Sequence, residues 1–198
     1  MKNLLKVLAL AVLVTFVFTS CAKQPTQLMD QAKAAVQAVE TAKGNIYAKD
    51  ELNKLKSDLQ AALDEVTAQS KKFFKNYGHA KEMLTKVIAD ADAVKGLIPA
   101  RIEEAKNAAQ AAINEAKTAY DHAKALLEKA PKGKGTKADI EAMKADLAGL
   151  DTQMTEAQNA MTAEDYFGAK DKAMAIKDKA AAIAEQVQKA IDKVKGKR

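Results

Sequence analysis

The stretch from Asp50 to Phe73, DELNKLKSDLQAALDEVTAQSKKF, decides the fold. Its core-type positions Leu52, Leu55, Leu59, Ala62, Val66, Gln69 and Phe73 advance by alternating steps of three and four. An α-helix with 3.6 residues per turn gathers such positions on one face, whereas a strand needs a period of two. The same steps recur 88 residues later at Ile140, Met143, Leu147, Leu150, Met154, Ala157 and Met161. Upstream, Leu28, Ala32, Ala35, Val39 and Ala42 correspond at that offset to Ala116, Tyr120, Ala123, Leu127 and Ala130.

Downstream the offset becomes 89: Tyr77, Ala80, Leu84, Val87, Ala91, Val94, Ile98 and Ile102 correspond to Tyr166, Ala169, Ala173, Ile176, Ala180, Ile183, Val187 and Ile191. Both sets end on two consecutive steps of four, a stutter that shifts the apolar seam. A matched stutter and paired tyrosines favour an internal duplication over chance agreement between amphipathic helices. Each unit reads as three helices of about 23 residues, roughly 35 Å long. In the first unit they run from about Pro25 to Gly44, from Asp50 to Phe73, and from Asn76, the expected N-cap, onward.

In the second unit, Thr136 with Asp139 and Thr162 with Asp165 have the spacing of capping boxes. Lys129 to Gly135 combines a proline and two glycines and is expected to be a loop. Between Asn76 and Ala130 the apolar rhythm hardly pauses, so one helix is expected to run through both units, kinked near Gly96 and Pro99. The expected fold is therefore all-α: an elongated antiparallel helical bundle of two tandem three-helix units sharing a long central helix. The division is 1–20 for a signal peptide, 21–98 for unit one and 99–198 for unit two.

Composition makes the core thin. Alanine supplies 42 residues, glycine 8, proline 3 and tryptophan none. Alanine favours helix but buries little area. Removing the first 20 residues leaves 30 basic against 26 acidic side chains, a mild net charge of +4. These charges are spread along helix faces and aromatics are only 5% of the chain, so nucleic acid is not an expected partner.

The amino terminus addresses location. Lys2 and Lys6 precede an apolar run from Leu8 to Phe18, and Cys21, the only cysteine, follows Phe18-Thr19-Ser20. The run is too short for a bilayer of ~30 Å, which needs about 20 apolar residues, so an export signal is the better reading than a membrane-spanning helix. A solitary cysteine in an oxidising compartment has no partner thiol within the chain. Phe18-Thr19-Ser20-Cys21 resembles the lipobox of bacterial lipoproteins, with Phe18 where leucine is usual. That resemblance implies cleavage before Cys21 and acylation, palmitate included, of the new amino terminus. Ala22 stands where aspartate would favour retention in the inner membrane, so the implied address is the periplasmic face of the outer membrane.

The helical part resembles a family of alanine-rich bacterial lipoproteins of unknown function, whose domain carries a Tyr-Ala-Pro-x-Glu-Leu element and a later Tyr-x-x-Ala-x-x-x-Ala helix. Here these are Tyr47-Ala48-Lys49-Asp50-Glu51-Leu52, with lysine in place of proline, then Tyr77-Gly78-His79-Ala80 and Tyr166-Phe167-Gly168-Ala169. The likeness covers about residues 21 to 95 best, and the family implies no activity.

Residues that support chemistry are scarce. His79 and His122 are the only histidines and lie 43 positions apart, without zinc-ligand spacing. The acid pairs Asp64 with Glu65, Asp90 with Asp92 and Glu103 with Glu104 sit among lysines, and paired acids matter for catalysis in a desolvated cleft, which a thin bundle is not expected to offer. Gly133-Lys134-Gly135 lacks the P-loop pattern. Met143, Met154 and Met161 are expected in the core, and Tyr77 and Tyr166 at helix turns. The expectation is a non-enzymatic envelope lipoprotein with Cys21 as its lipidation site, no cofactor and no metal, acting as a periplasmic spacer or scaffold. The alternative is a helical-repeat adaptor binding a peptide or envelope polysaccharide. The membrane, reached through Cys21, is the expected partner, with peptidoglycan or another envelope protein beside it. The tail from Lys193 to Arg198 is basic enough to rest on anionic groups, but it ends in Arg198 where the murein lipoprotein's tail ends in lysine, so a covalent link to the cell wall is not expected.

Overall fold

A computed structural model describes residues 23–131 and 137–195. Every regular element among them is helical: α1 (Thr26–Thr41), α2 (Gly44–Tyr47), α3 (Lys49–Ser70), α4 (Gly78–Glu128), α5 (Lys137–Thr162) and α6 (Tyr166–Lys195). The helices pack against one another as an all-α bundle. The lipobox, Thr136, Gly133-Lys134-Gly135 and the last residues of the basic tail lie outside the described residues. Two compact units divide between Ala100 and Arg101, just past Pro99 and inside α4.

Pro99 is tolerated within α4 because its surroundings are wet. The ring removes the N–H that would bond the Lys95 carbonyl. Lys95, Gly96 and Pro99 are all exposed, so water can serve that carbonyl, while neighbouring Ile98 is fully buried.

In the first unit α1 contributes Ala32, Val36 and Val39 to the interior, α3 contributes Leu52, Leu55, Ala62, Val66 and Gln69, and α4 contributes Ala80, Leu84, Val87, Ala91, Val94 and Ile98, with Tyr77 buried just ahead of it. Gln69 keeps its amide satisfied through Nε2 donating to Glu65 Oε1 at 2.7 Å. Leu59 and Ile102 are only half-buried. Phe73, expected on the inner stripe, is instead 90% exposed. The physical reason is that α3 stops at Ser70 and the chain turns before α4, where Asn76 Oδ1 accepts the Gly78 N–H at 2.9 Å. With the helix ended, the three-four rhythm no longer governs where Phe73 points.

Helix one also ends earlier than expected, at Thr41 rather than Gly44. Lys43 adopts a left-handed backbone with φ of 70° and α2 follows at once. Gly44 is required there by close approach, since a Cβ at this position would lie 2.6 Å from the Val39 carbonyl oxygen.

The second unit is built around Ile113, Leu127, Ile140, Leu147, Leu150, Ile176, Ile183 and Val187, interleaved with eight alanines from Ala112 to Ala184. Met143, Met154 and Met161 are partly buried against this cluster, and Tyr77 and Tyr166 are buried at the start of their helices. Between α5 and α6 the connection is very tight. Glu164 is left-handed at φ 60°, its N–H bonds the Met161 carbonyl at 3.2 Å, and the Asp165 N–H bonds the Ala160 carbonyl at 2.9 Å. These two bonds form a Schellman end to α5. Asp165 then begins α6, with Oδ1 accepting the Gly168 N–H at 3.0 Å. A side chain on Gly168 would collide with that same carboxylate.

The expected capping box at Thr162 is therefore corrected. Thr162 is the last residue of α5 and its hydroxyl donates back to the Gln158 carbonyl at 3.0 Å, while Asp165 alone caps α6. Removing this cap in Asp165→Ala is expected to cost about 1 kcal/mol. Glu164→Gly is expected to stabilise by up to about 1 kcal/mol, because glycine occupies the left-handed region without the Cβ penalty. Urea denaturation of the two variants checks both signs.

Candidate functional site

The described residues assemble their polar side chains chiefly as ties between helices. In the second unit the Tyr120 hydroxyl donates to Asp151 Oδ2 at 2.9 Å, joining α4 to α5. Lys177 Nζ reaches Glu115 Oε2 at 2.7 Å, joining α6 to α4. Lys172 Nζ meets Glu156 Oε2 at 3.0 Å and Lys179 Nζ meets Gln153 Oε1 at 3.3 Å, joining α6 to α5. In the first unit Lys56 pairs with Glu40 between α3 and α1.

These are solvated pairs, which set the register of helices more than they stabilise them. The hydrogen bond from Lys177 holds the Glu115 carboxyl below the usual range and raises the lysine in return. Burial raises the Tyr120 phenol, with the hydrogen bond to Asp151 and that carboxylate's charge acting in the same direction. A raised phenol keeps its hydrogen bond intact below its ordinary pKa and loses it as pH rises through the shifted value. Asp151→Asn is expected to bring Tyr120 ionisation to lower pH, which the difference in phenolate absorbance between each protein and its Tyr120→Phe counterpart would report.

Two grooves open to solvent flank α5. One, of about 440 Å³, lies between α5 and α6 and is lined by Gly149, Ala145 and Ala182 with Gln153, Lys179 and Gln186 around them. The groove exists because small residues face one another: a Cβ on Gly149 would have no neighbour within 4 Å. The other, of about 460 Å³, lies between α4 and α5 and holds Tyr120 and Asp151 with Lys124, Lys144 and Glu128. Its phenol is already engaged by Asp151, so the charge and hydrogen bonding that the groove offers a ligand come from Lys124, Lys144 and Glu128.

The residues weighed for chemistry stay dispersed. His79 is exposed, with Nδ1 4.0 Å from Glu82 Oε2, and His122 is exposed on α4. Asp64 accepts from Gln60, Glu65 accepts from Gln69, and Asp90 pairs with Lys86. Glu103 pairs with Lys106, and Glu104 and Asp92 face solvent. Among the described residues no three His, Cys, Asp or Glu side chains are grouped to hold a metal, and no helix is long and apolar enough to cross a membrane. Cys21, the one site residue the sequence singles out, lies outside the described residues.

Sequence reading missed the tip between α3 and α4. Phe73 and Phe74 are 90% and 80% exposed and meet each other edge to face at 5.0 Å. The signal for it was the composition of Lys71-Lys72-Phe73-Phe74-Lys75-Asn76 itself, two adjacent aromatics among lysines ahead of a capping asparagine. No protein-family model, curated protein or solved structure matches the chain.

Proposed function

We propose that the chain is a non-enzymatic cell-envelope lipoprotein, tethered through acyl chains on Cys21 to the periplasmic face of the outer membrane and serving there as a spacer or scaffold. The observation that carries this reading is the place of the only cysteine, directly after a basic start and a short apolar run. The helical body supports it. Helices of 26 and 30 residues in the second unit extend about 40 Å, close-packed through alanines and laced by the Tyr120, Lys172 and Lys177 ties. The resemblance to alanine-rich bacterial lipoproteins points the same way. Crosslinking in intact cells tests the role: capture of peptidoglycan alone is expected of a spacer.

A second reading, an adaptor for a peptide or an envelope polysaccharide, is favoured by one feature, the groove between α4 and α5 with Lys124, Lys144 and Asp151 at its walls. Capture of a single protein, lost on Lys124→Glu with Lys144→Glu, would replace the spacer by the adaptor.

A further inference from the structure

We propose that the tip at residues 71–76 is a membrane-contact element, in which Phe73 and Phe74 enter the interface of an anionic lipid surface while Lys71, Lys72 and Lys75 hold its headgroups. A folded protein seldom presents two adjacent phenylalanines to water at 90% and 80% exposure. Here all six residues of the tip are exposed, and from Val66 to Lys81 the chain carries four lysines and no acid. Aromatic rings beside lysines match the layered chemistry of a bilayer boundary, where rings reach the acyl edge and ammonium groups meet phosphates.

The fold supplies a second, independent reason. Helices α1 and α3 pack together across a short connector and Glu40 pairs with Lys56, so they run antiparallel in that register. Fourteen residues back from Glu40 is Thr26, and fourteen residues on from Lys56 is Ser70, so the start of α1 stands level with the end of α3. The tip therefore projects from the end of the first unit at which the chain enters. Lys23, exposed just before α1, adds its charge to that end. Cys21 is five residues ahead of Thr26, a span of at most about 18 Å of extended chain. A tether at Cys21 would draw this end, and the phenylalanines on it, towards the leaflet.

The leaflet named here rests on the tether proposed above, and the experiment separates the two. The chain has no tryptophan, so Phe74→Trp introduces a single reporter at the tip. Ile46→Trp, at an exposed position in the connector at the opposite end of α1 and α3, is the control. Full-length proteins are reconstituted with vesicles of phosphatidylglycerol and phosphatidylethanolamine, or of phosphatidylcholine alone, carrying brominated acyl chains. The expected result is blue-shifted, bromine-quenched emission from the tip reporter in the anionic vesicles only, with the connector reporter unquenched in both. Changing Lys71, Lys72 and Lys75 together to Gln should weaken tip insertion about a hundredfold, at about fivefold per lysine near an anionic surface.

Emission from the Phe74→Trp protein that stays characteristic of water with anionic vesicles would overturn the proposal. So would equal quenching of the tip and connector reporters, which would mean the body lies flat on lipid. A shift that needs an added envelope protein would reassign the tip to a protein partner and overturn it as well. The mass of the amino-terminal residue in the same sample reports the tether separately, and the fluorescence readout decides the tip whether or not the sulfur is acylated.

Discussion

Ile176→Ala is expected to destabilise the second unit by about 2–5 kcal/mol, the range for truncating a large aliphatic side chain in a core. Ile176 is fully buried, and its neighbours along the inner stripe of α6 are Ala173 and Ala180, also fully buried. Those methyl groups are too short to swing into the space left behind, so the cavity term adds to the lost transfer energy. A core half made of alanine concentrates its cohesion in a few large residues, and each one matters more than it would in a leucine-rich bundle. Met174→Ala, two positions away on an exposed face, is expected to change stability by no more than about 0.5 kcal/mol. Amide exchange of α5 and α6 compares the variants within this unit, and similar protection in both would contradict the packing described here.

Cys21→Ala is expected to abolish incorporation of labelled palmitate and to release the protein from the membrane fraction. The expected effect is large because each buried methylene contributes ~0.8 kcal/mol and two or more chains make anchoring stable, whereas one is marginal. Among the described residues nothing else offers a bilayer-spanning helix. Undiminished labelling of the variant would remove the basis for the envelope address.

The inner stripes were legible because helix geometry alone sets them. Leu84, Val87 and Ile98 in one unit, and Ile176, Ile183 and Val187 in the other, are buried where a three-four rhythm places them. Helix ends were less legible, since they depend on competition between backbone and side-chain hydrogen bonds. Phe73 fits the rhythm of α3, yet α3 ends at Ser70 and Phe73 faces water. Lys43 and Glu164 take left-handed conformations that glycine usually marks, so neither turn announced itself. Thr162 and Asp165 have capping-box spacing, but the Schellman turn at Glu164 puts the threonine inside the preceding helix.

The grooves and ties were not legible for a different reason. The Tyr120 and Asp151 pair joins positions 31 apart, and the groove beside Gly149 needs Ala145 and Ala182 to face each other from two helices. Such pairings follow from the register between helices, which periodicity along one chain does not encode. Cys21 stands at the other extreme: its meaning is carried wholly by the order of residues around it.

The most direct measurement is the mass of the amino-terminal peptide from protein purified out of its native membrane. The expected result is a chain beginning at Cys21 with its sulfur and amine bearing acyl groups. An unmodified thiol at that position, or a chain still beginning at Met1, would contradict it.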